Sequence, residues 1–148
     1  IRHVFNTDND ASVLYRRYDE LEHTLGEELL VSHRCYYTEL APVFAMAKGI
    51  AHITGCGLVG NLPRILPAGL AARLHADSWE AQPIFRIIQR EGKVEQEEMF
   101  RVFNMGLGIV LACEPEKVSK MQTTLPEARV VGEVVPQRGE SQVVIEGI

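Results

Sequence analysis

Gly49-Ile50-Ala51-His52-Ile53-Thr54-Gly55-Cys56-Gly57-Leu58-Val59-Gly60-Asn61-Leu62-Pro63-Arg64-Ile65-Leu66-Pro67 begins as a short, mostly apolar run. It breaks at Thr54 to Gly57 and resumes with helix-spaced Leu58, Leu62, Ile65 and Leu66. The pattern predicts a strand, a tight glycine turn and a helix. Two glycines one residue apart let the main chain turn sharply and approach a ligand closely. A helix that starts there aims unsatisfied N–H groups at the turn, where anions bind. The turn is the best site candidate in the chain. Pro63 predicts either a kink in the helix or a start near Asn61.

Upstream, residues 1–11 show no clear period and carry Asn6, Asp8, Asn9 and Asp10. They are expected to form a poorly ordered lead-in, and residues 1–24 as a whole a partly ordered remnant of an upstream element. Val13, Leu14 and Tyr18 hint at a helical turn, continued by Leu21 and Leu25 and interrupted by Gly26. Residues 27–37 can form a strand, and residues 42–48 a short helix with Pro42 in its first turn.

Downstream, residues 69–76 alternate, with Leu70, Ala72 and Leu74 on one side and Arg73 and His75 on the other. Residues 83–90 carry the stripe Ile84, Phe85, Ile87 and Ile88, and Gly92 ends that helix. Glu95, Glu97 and Glu98 suit the positive end of a helix whose Met99, Val102 and Phe103 face inward. Asn104-Met105-Gly106 is a second glycine turn. The apolar run 107–113 is expected to be a strand buried on both faces. A helix over 115–125, a strand around Val130 and Val131 continuing to Val135, and a hairpin through Gln137 to Glu140 into 142–145 complete the chain. The alternation predicts an α+β (α/β layered) fold, a mixed sheet covered by helices.

The 148 residues suit one domain with a core of its own, and 46% apolar against 24% charged content reads as globular. A net charge of −5 argues against nucleic acid as the partner, because backbone binders carry basic patches. Cys35, Cys56 and Cys113 are odd in number and far apart, which predicts reduced thiols and a cytoplasmic setting. No apolar run has membrane length.

Several residues can carry chemistry. Thr54, Gly55, Cys56 and Gly57 form an anion seat or a plain tight turn. The turn is too short for a P-loop and lacks the third glycine of a dinucleotide fingerprint. Asn61 and Arg64 can reach an anion from one helix face, and Arg64 can grip a phosphate by two parallel hydrogen bonds. His52 shares a face with Thr54 and either donates to a phosphate or satisfies a carbonyl. Cys56 is a passive thiol or, with a depressed pKa, a nucleophile. Asn104 binds a ligand or closes its own turn. Asp77 with Trp79, and Arg34 with Tyr36, line a cleft or simply pack. No triad spacing, zinc quartet or cluster of acidic metal ligands is present, so no metal site is expected.

Five stretches together are similar to the C-terminal domain of the phosphoribosylformylglycinamidine cyclo-ligase (aminoimidazole ribonucleotide synthetase) family. They are Leu25-Gly26-Glu27-Glu28-Leu29-Leu30, Ala51 to Leu58, Asn61 to Pro67, Glu97 to Gly108, and Gly132-Glu133-Val134. They keep the family's order, and the run through His52 and Pro67 is specific to it. The resemblance implies a C-terminal-type domain over residues 25–148. It implies an enzyme that uses ATP and Mg2+ to activate the formyl oxygen of formylglycinamidine ribonucleotide, so that a nitrogen of the same molecule closes the ring of aminoimidazole ribonucleotide in purine biosynthesis. An N-terminal nucleotide-binding domain would hold most of the ATP and metal, in a homodimer, and this domain alone is expected to be inactive.

The family's turns map onto His52, Thr54, Gly55, Cys56, Gly57, Asn61 and Arg64, and onto Asn104 and Gly106, implying a substrate- or phosphate-binding role for these residues. The chain departs from the pattern at several places, including a short link from Ala47 to Gly49 and a poor match to the helix expected before Asp19. Cys56 interrupts Gly-Gly-Gly, His33-Arg34-Cys35-Tyr36 stands for Thr-Arg-Ile-Tyr, and Asn104-Met105-Gly106 stands for Asn-Cys-Gly. Two alternatives remain: a non-catalytic regulatory or interaction domain, and another ATP-using member of the same superfamily.

Overall fold

A computed structural model describes all 148 residues and contains seven short α-helices and five strands in two separate sheets. Strand β1 (Ala47–His52) pairs antiparallel with β3 (Ile109–Cys113), with an irregularity between Ala47 and Gly49. Strand β2 (Leu70–His75) is the centre of the other sheet, with β4 (Gly132–Pro136) antiparallel on one edge and β5 (Val143–Glu146) parallel on the other. The mixed, helix-covered α+β architecture expected from the alternation is present.

The hairpin expected after β4 does not form. Both edges of β2 need ladder partners, and β4 and β5 take one edge each, so the chain from Gln137 to Gln142 crosses the end of β2. Gln137 N–H donates to Gly69 O at 2.8 Å, and Ala72 N–H to Gln142 O at 2.8 Å. The alternation of β2 holds: Ala72 and Leu74 are buried, while Arg73 reaches Glu133 at 2.6 Å and His75 lies 3.2 Å from Glu146 on the outer face.

The helices sit where their apolar stripes find the core. Helix α5 (Pro83–Gly92) starts on Pro83, buries Ile87 and Ile88, and stops at Lys93 in the left-handed region (φ 48°). Helix α1 (Arg2–Phe5) packs on it and places Phe5 in the core. Val4 lies against Gly92, where a side chain would collide with it. Tyr18 is also a core residue, its ring under the Arg16 guanidinium at 4.6 Å. The first 24 residues thus contribute two side chains to the main core.

Helix α2 (Leu25–Leu29) contains Gly26 instead of ending there, because a Cβ at that position would stand 3.0 Å from Leu14 O. The stretch that follows joins no sheet and has no strand to pair with; Leu30 and Val31 are exposed. Helix α3 (Tyr37–Leu40) and a 3-10 turn (Ala41–Met46) lead into β1. In α6 (Gln96–Val102) the buried residues are Met99 and Phe100. Val102 lies at the margin of that stripe and is 42% exposed, contrary to expectation. Strand β3 is half-buried along its length, because it has one strand neighbour only and faces a cleft on the other side. Helix α7 (Val118–Thr124) covers a second small core of Leu40, Val43 and Met121.

Helix α2 begins with a capping box: Glu27 N–H donates to Thr24 Oγ1 at 3.4 Å, while Glu27 Oε2 accepts from Thr24 N–H at 2.9 Å. Thr24→Ala is expected to cost about 1 kcal/mol in urea unfolding. The Thr24 backbone and hydroxyl hold the Glu27 carboxyl below its ordinary value of 4.5. Its contribution is therefore complete above that value and is lost as pH falls through the lowered one. Unfolding of Glu27→Gln followed against pH should lack this acid-side loss.

Candidate functional site

The strand β1 to helix connection is where the local sequence and the tertiary packing meet. Helix α4 (Gly57–Asn61) starts directly after the turn and passes into a 3-10 turn (Leu62–Ile65) with Pro63 in its opening positions. Pro63 therefore ends the α-helical hydrogen bonding without kinking a continuous helix. Thr54, Gly55 and Cys56 are exposed, whereas Gly57, Leu58, Asn61 and Leu62 are buried.

Asn61 is 2% exposed and its carboxamide faces back into the turn. Asn61 Nδ2 donates to Gly57 O at 2.7 Å and to Gly55 O at 2.9 Å, and lies 3.5 Å from Thr54 O. It clamps the bend from beneath. Arg64, three residues on, is exposed and makes no hydrogen bond or ion pair. The two side chains expected on one helix face go separate ways: the Asn61 carboxamide is drawn inward to the carbonyls of the turn, and the Arg64 guanidinium stays in solvent.

Gly57 has φ 55°, and a Cβ there would overlap the carbonyl oxygens of Phe100 and Phe103. Its glycine character is demanded by the close approach of α4 to the end of α6. Cys56 adopts φ 75°, ψ 8°, a left-handed cap that a non-glycine residue occupies at a cost. Its Cβ rests over Gly60, which has no room for a side chain of its own. The N–H groups of Gly55 and Cys56 donate to no acceptor in the chain; Gly57 N–H closes the turn onto Thr54 O at 3.1 Å.

The second glycine turn lies behind the first. Ile53 N–H donates to Gly108 O at 2.9 Å, coupling the two turns. Asn104 Oδ1 accepts from Gly106 N–H at 3.1 Å, so Asn104 closes its own turn. Met105 (φ 49°) and Gly106 (φ 97°) are both left-handed. Trp79 Nε1 donates to Met105 O at 2.9 Å, and its ring packs edge-on against Phe100. Trp79 and Asp77 line a cleft of about 1300 Å³ between the two sheets, together with Leu66, Leu70, Gly106 and Leu107.

His52 lies elsewhere, at a smaller hollow of about 550 Å³ with His33, Tyr36 and Phe44. Its Nε2 is 2.8 Å from His33 Nε2, one ring donating and the other accepting. The structure thus divides the expected set. His52 borders the small hollow and Gly106 the large cleft, while Thr54, Gly55 and Cys56 form an exposed rim. Gly57, Asn61 and Asn104 hold the main chain in shape. Sequence reading missed His33 as the neighbour of His52; the two are 19 positions apart and only the packing of Tyr36 brings them together. Arg34 is tied to Glu39 and Glu127, which raise its already high pKa further. Cys113 is half-buried, and burial pushes its thiol pKa up, away from nucleophilic use.

Residues 3–145 match the family model described as AIR synthase related protein, C-terminal domain. The chain is 45% identical over 127 residues to a phosphoribosylformylglycinamidine cyclo-ligase of Enterococcus faecalis, covering 84% of this chain and 37% of the relative. It is 47% identical over 131 residues to the enzyme of that name from Pseudothermotoga lettingae, covering 85% and 38%. With the one from Caldicellulosiruptor bescii the identity is 43%, over 99% of this chain and 44% of the relative. The chain therefore spans well under half the length of these curated relatives.

The clamp and the caps have measurable consequences. Asn61→Ala removes the side-chain donor to the Gly55 and Gly57 carbonyls and should cost about 2 kcal/mol of stability. Gly57→Ala meets both a left-handed backbone and two carbonyls, and is expected to cost more than about 2 kcal/mol. Cys56→Gly relieves the left-handed cap and should raise stability by about 1 kcal/mol. Thermal or urea unfolding of the three variants measures all of these.

Proposed function

Because the chain belongs to the AIR-synthase-related C-terminal domain family, we propose that it is the substrate-side domain of an ATP-dependent cyclo-ligase that closes the ring of aminoimidazole ribonucleotide. The observation that carries this reading is the rim from Thr54 to Cys56. It is exposed, it presents the N–H groups of Gly55 and Cys56 without acceptors, and Asn61 holds it in shape from behind. Oriented main-chain donors in a bend suit an anionic group such as the substrate phosphate. Thr54 adds a hydroxyl to the same rim. Arg64 adds an uncommitted guanidinium on the same strand-turn-helix unit, while His52, held against His33 at the smaller hollow, stands apart from the rim. Gly57, Asn61, Asn104 and Gly106 act by setting the backbone of the two turns.

The chain's own residues do not fit a magnesium–nucleotide site, since no three His, Cys, Asp or Glu side chains converge anywhere in it. In this reading ATP and Mg2+ are held by an N-terminal nucleotide-binding domain, across a cleft in a homodimer, and this domain orients the ribonucleotide against them. Orientation is the larger part of the task, because the attacking nitrogen and the activated carbon belong to one molecule. Three free cysteines support a cytoplasmic setting, and no helix is long and apolar enough to cross a membrane.

The test joins this chain to its upstream nucleotide domain and measures ADP release that depends on formylglycinamidine ribonucleotide. Absence of such release overturns the cyclo-ligase reading and favours an interaction domain. Arg64→Ala should raise KM for the ribonucleotide by about tenfold, the loss of one charge-assisted contact, with kcat little changed. Arg138→Ala, at an exposed turn whose residues make no hydrogen bond to the rim, should leave both unchanged.

A further inference from the structure

Two imidazoles meet at the mouth of the smaller hollow. His33 Nε2 and His52 Nε2 are 2.8 Å apart, with ring centroids at 5.0 Å. Both residues are exposed, and neither is paired with a carboxylate, unlike His23 with Glu28 and His75 with Glu146. Metal–imidazole bonds run about 2.0–2.1 Å, so two imidazoles on one ion hold their nitrogens about 3 Å apart. The nitrogens are already that close, but centroids 5.0 Å apart mean that the rings meet nearly head-on in an N–H···N hydrogen bond; an ion takes the place of that bond when the donor ring carries its proton on Nδ1 and both rings tilt until their lone pairs converge.

The surroundings favour an ion there. His52 is fixed at the end of β1 opposite Ile109. His33 sits in residues 32–36, whose N–H groups donate to no backbone acceptor, so this side can adjust its lone pair. Tyr36 packs edge-on against both rings, at 5.6 and 6.3 Å. Its hydroxyl rests on Gly108, where any Cβ would overlap it. The adjacent positive charge of Arg34 is compensated by Glu39 and Glu127, each with an oxygen 2.6 Å from it.

We propose that His33 and His52 form a two-histidine chelating site for a borderline divalent transition-metal ion of the zinc, nickel or copper class. No third His, Cys, Asp or Glu completes a cluster with them, so water or an external ligand fills the remaining positions. Paired nitrogen donors select these ions over Mg2+ and Ca2+, which prefer oxygen. The site rests on the imidazole geometry alone and stands whether or not the domain serves a cyclo-ligase.

The test is equilibrium titration of the whole chain with Zn2+ or Ni2+ alone. The wild type should bind one ion saturably, with no competition from excess Mg2+. His33→Thr and His52→Asn should each weaken binding by about tenfold or more, since even an outer partner of a metal ligand is worth that much. His75→Asn and Cys35→Ser should bind as the wild type does. Independently of any variant, Ni2+ should broaden the ring resonances of His33 and His52 before those of His3, His23 and His75. Four results overturn the proposal: no saturable binding, binding that survives loss of either histidine in a folded variant, loss of binding in Cys35→Ser, or first broadening at another histidine.

Discussion

The carboxamide of Asn61 is the interaction on which the rest depends. One buried NH2 group satisfies the carbonyls of Gly55 and Gly57 in a bend that has no ladder partner for them. Without that donor, the Gly55 carbonyl beside the fully buried Leu58 would lose its side-chain partner, and the Gly57 carbonyl would keep only its bond within α4. The clamp sets where β1 stops and where α4 starts. Gly57 then lets α4 close onto the end of α6, and the bond from Ile53 to Gly108 joins this unit to the second turn. A rim that faces solvent is thereby held by groups that do not.

This arrangement separates shape from contact. Asn61, Gly57 and Asn104 turn their hydrogen-bonding or steric capacity on the protein's own backbone, while Thr54, Gly55, Cys56 and Arg64 are exposed to solvent. Cys56 is the point of tension in the first turn, a side chain in a left-handed cap, accommodated because Gly60 leaves space beneath its Cβ. The wide cleft between the sheets has a related origin. Two small sheets share the main core but do not pair with one another, which leaves β3 half-buried, and that cleft is bordered by the second glycine turn.

A second use of glycine joins the histidine pair to the same framework. Gly108 accepts the Ile53 N–H and also makes room for the Tyr36 hydroxyl, so one residue without a side chain serves the turn coupling and the packing that brings His33 to His52.

Local sequence determined the elements that follow from period and punctuation. These are the strand-turn-helix at residues 49–67, the alternation of β2, the apolar stripe of α5, and the two glycine turns, all within reach of nearest-neighbour physics. The family motif was legible for the same reason, because it lies in continuous runs. Tertiary structure alone decided the rest. It placed β4 and β5 on opposite edges of β2 instead of in a hairpin, because open ladder edges are satisfied by whichever strand packs there. It drew Phe5 and Tyr18 into the core, put Gly26 inside a helix against Leu14, and left residues 30–36 unpaired. It also turned Asn61 inward and left Arg64 outward, since a buried side chain's direction depends on which carbonyls await a donor.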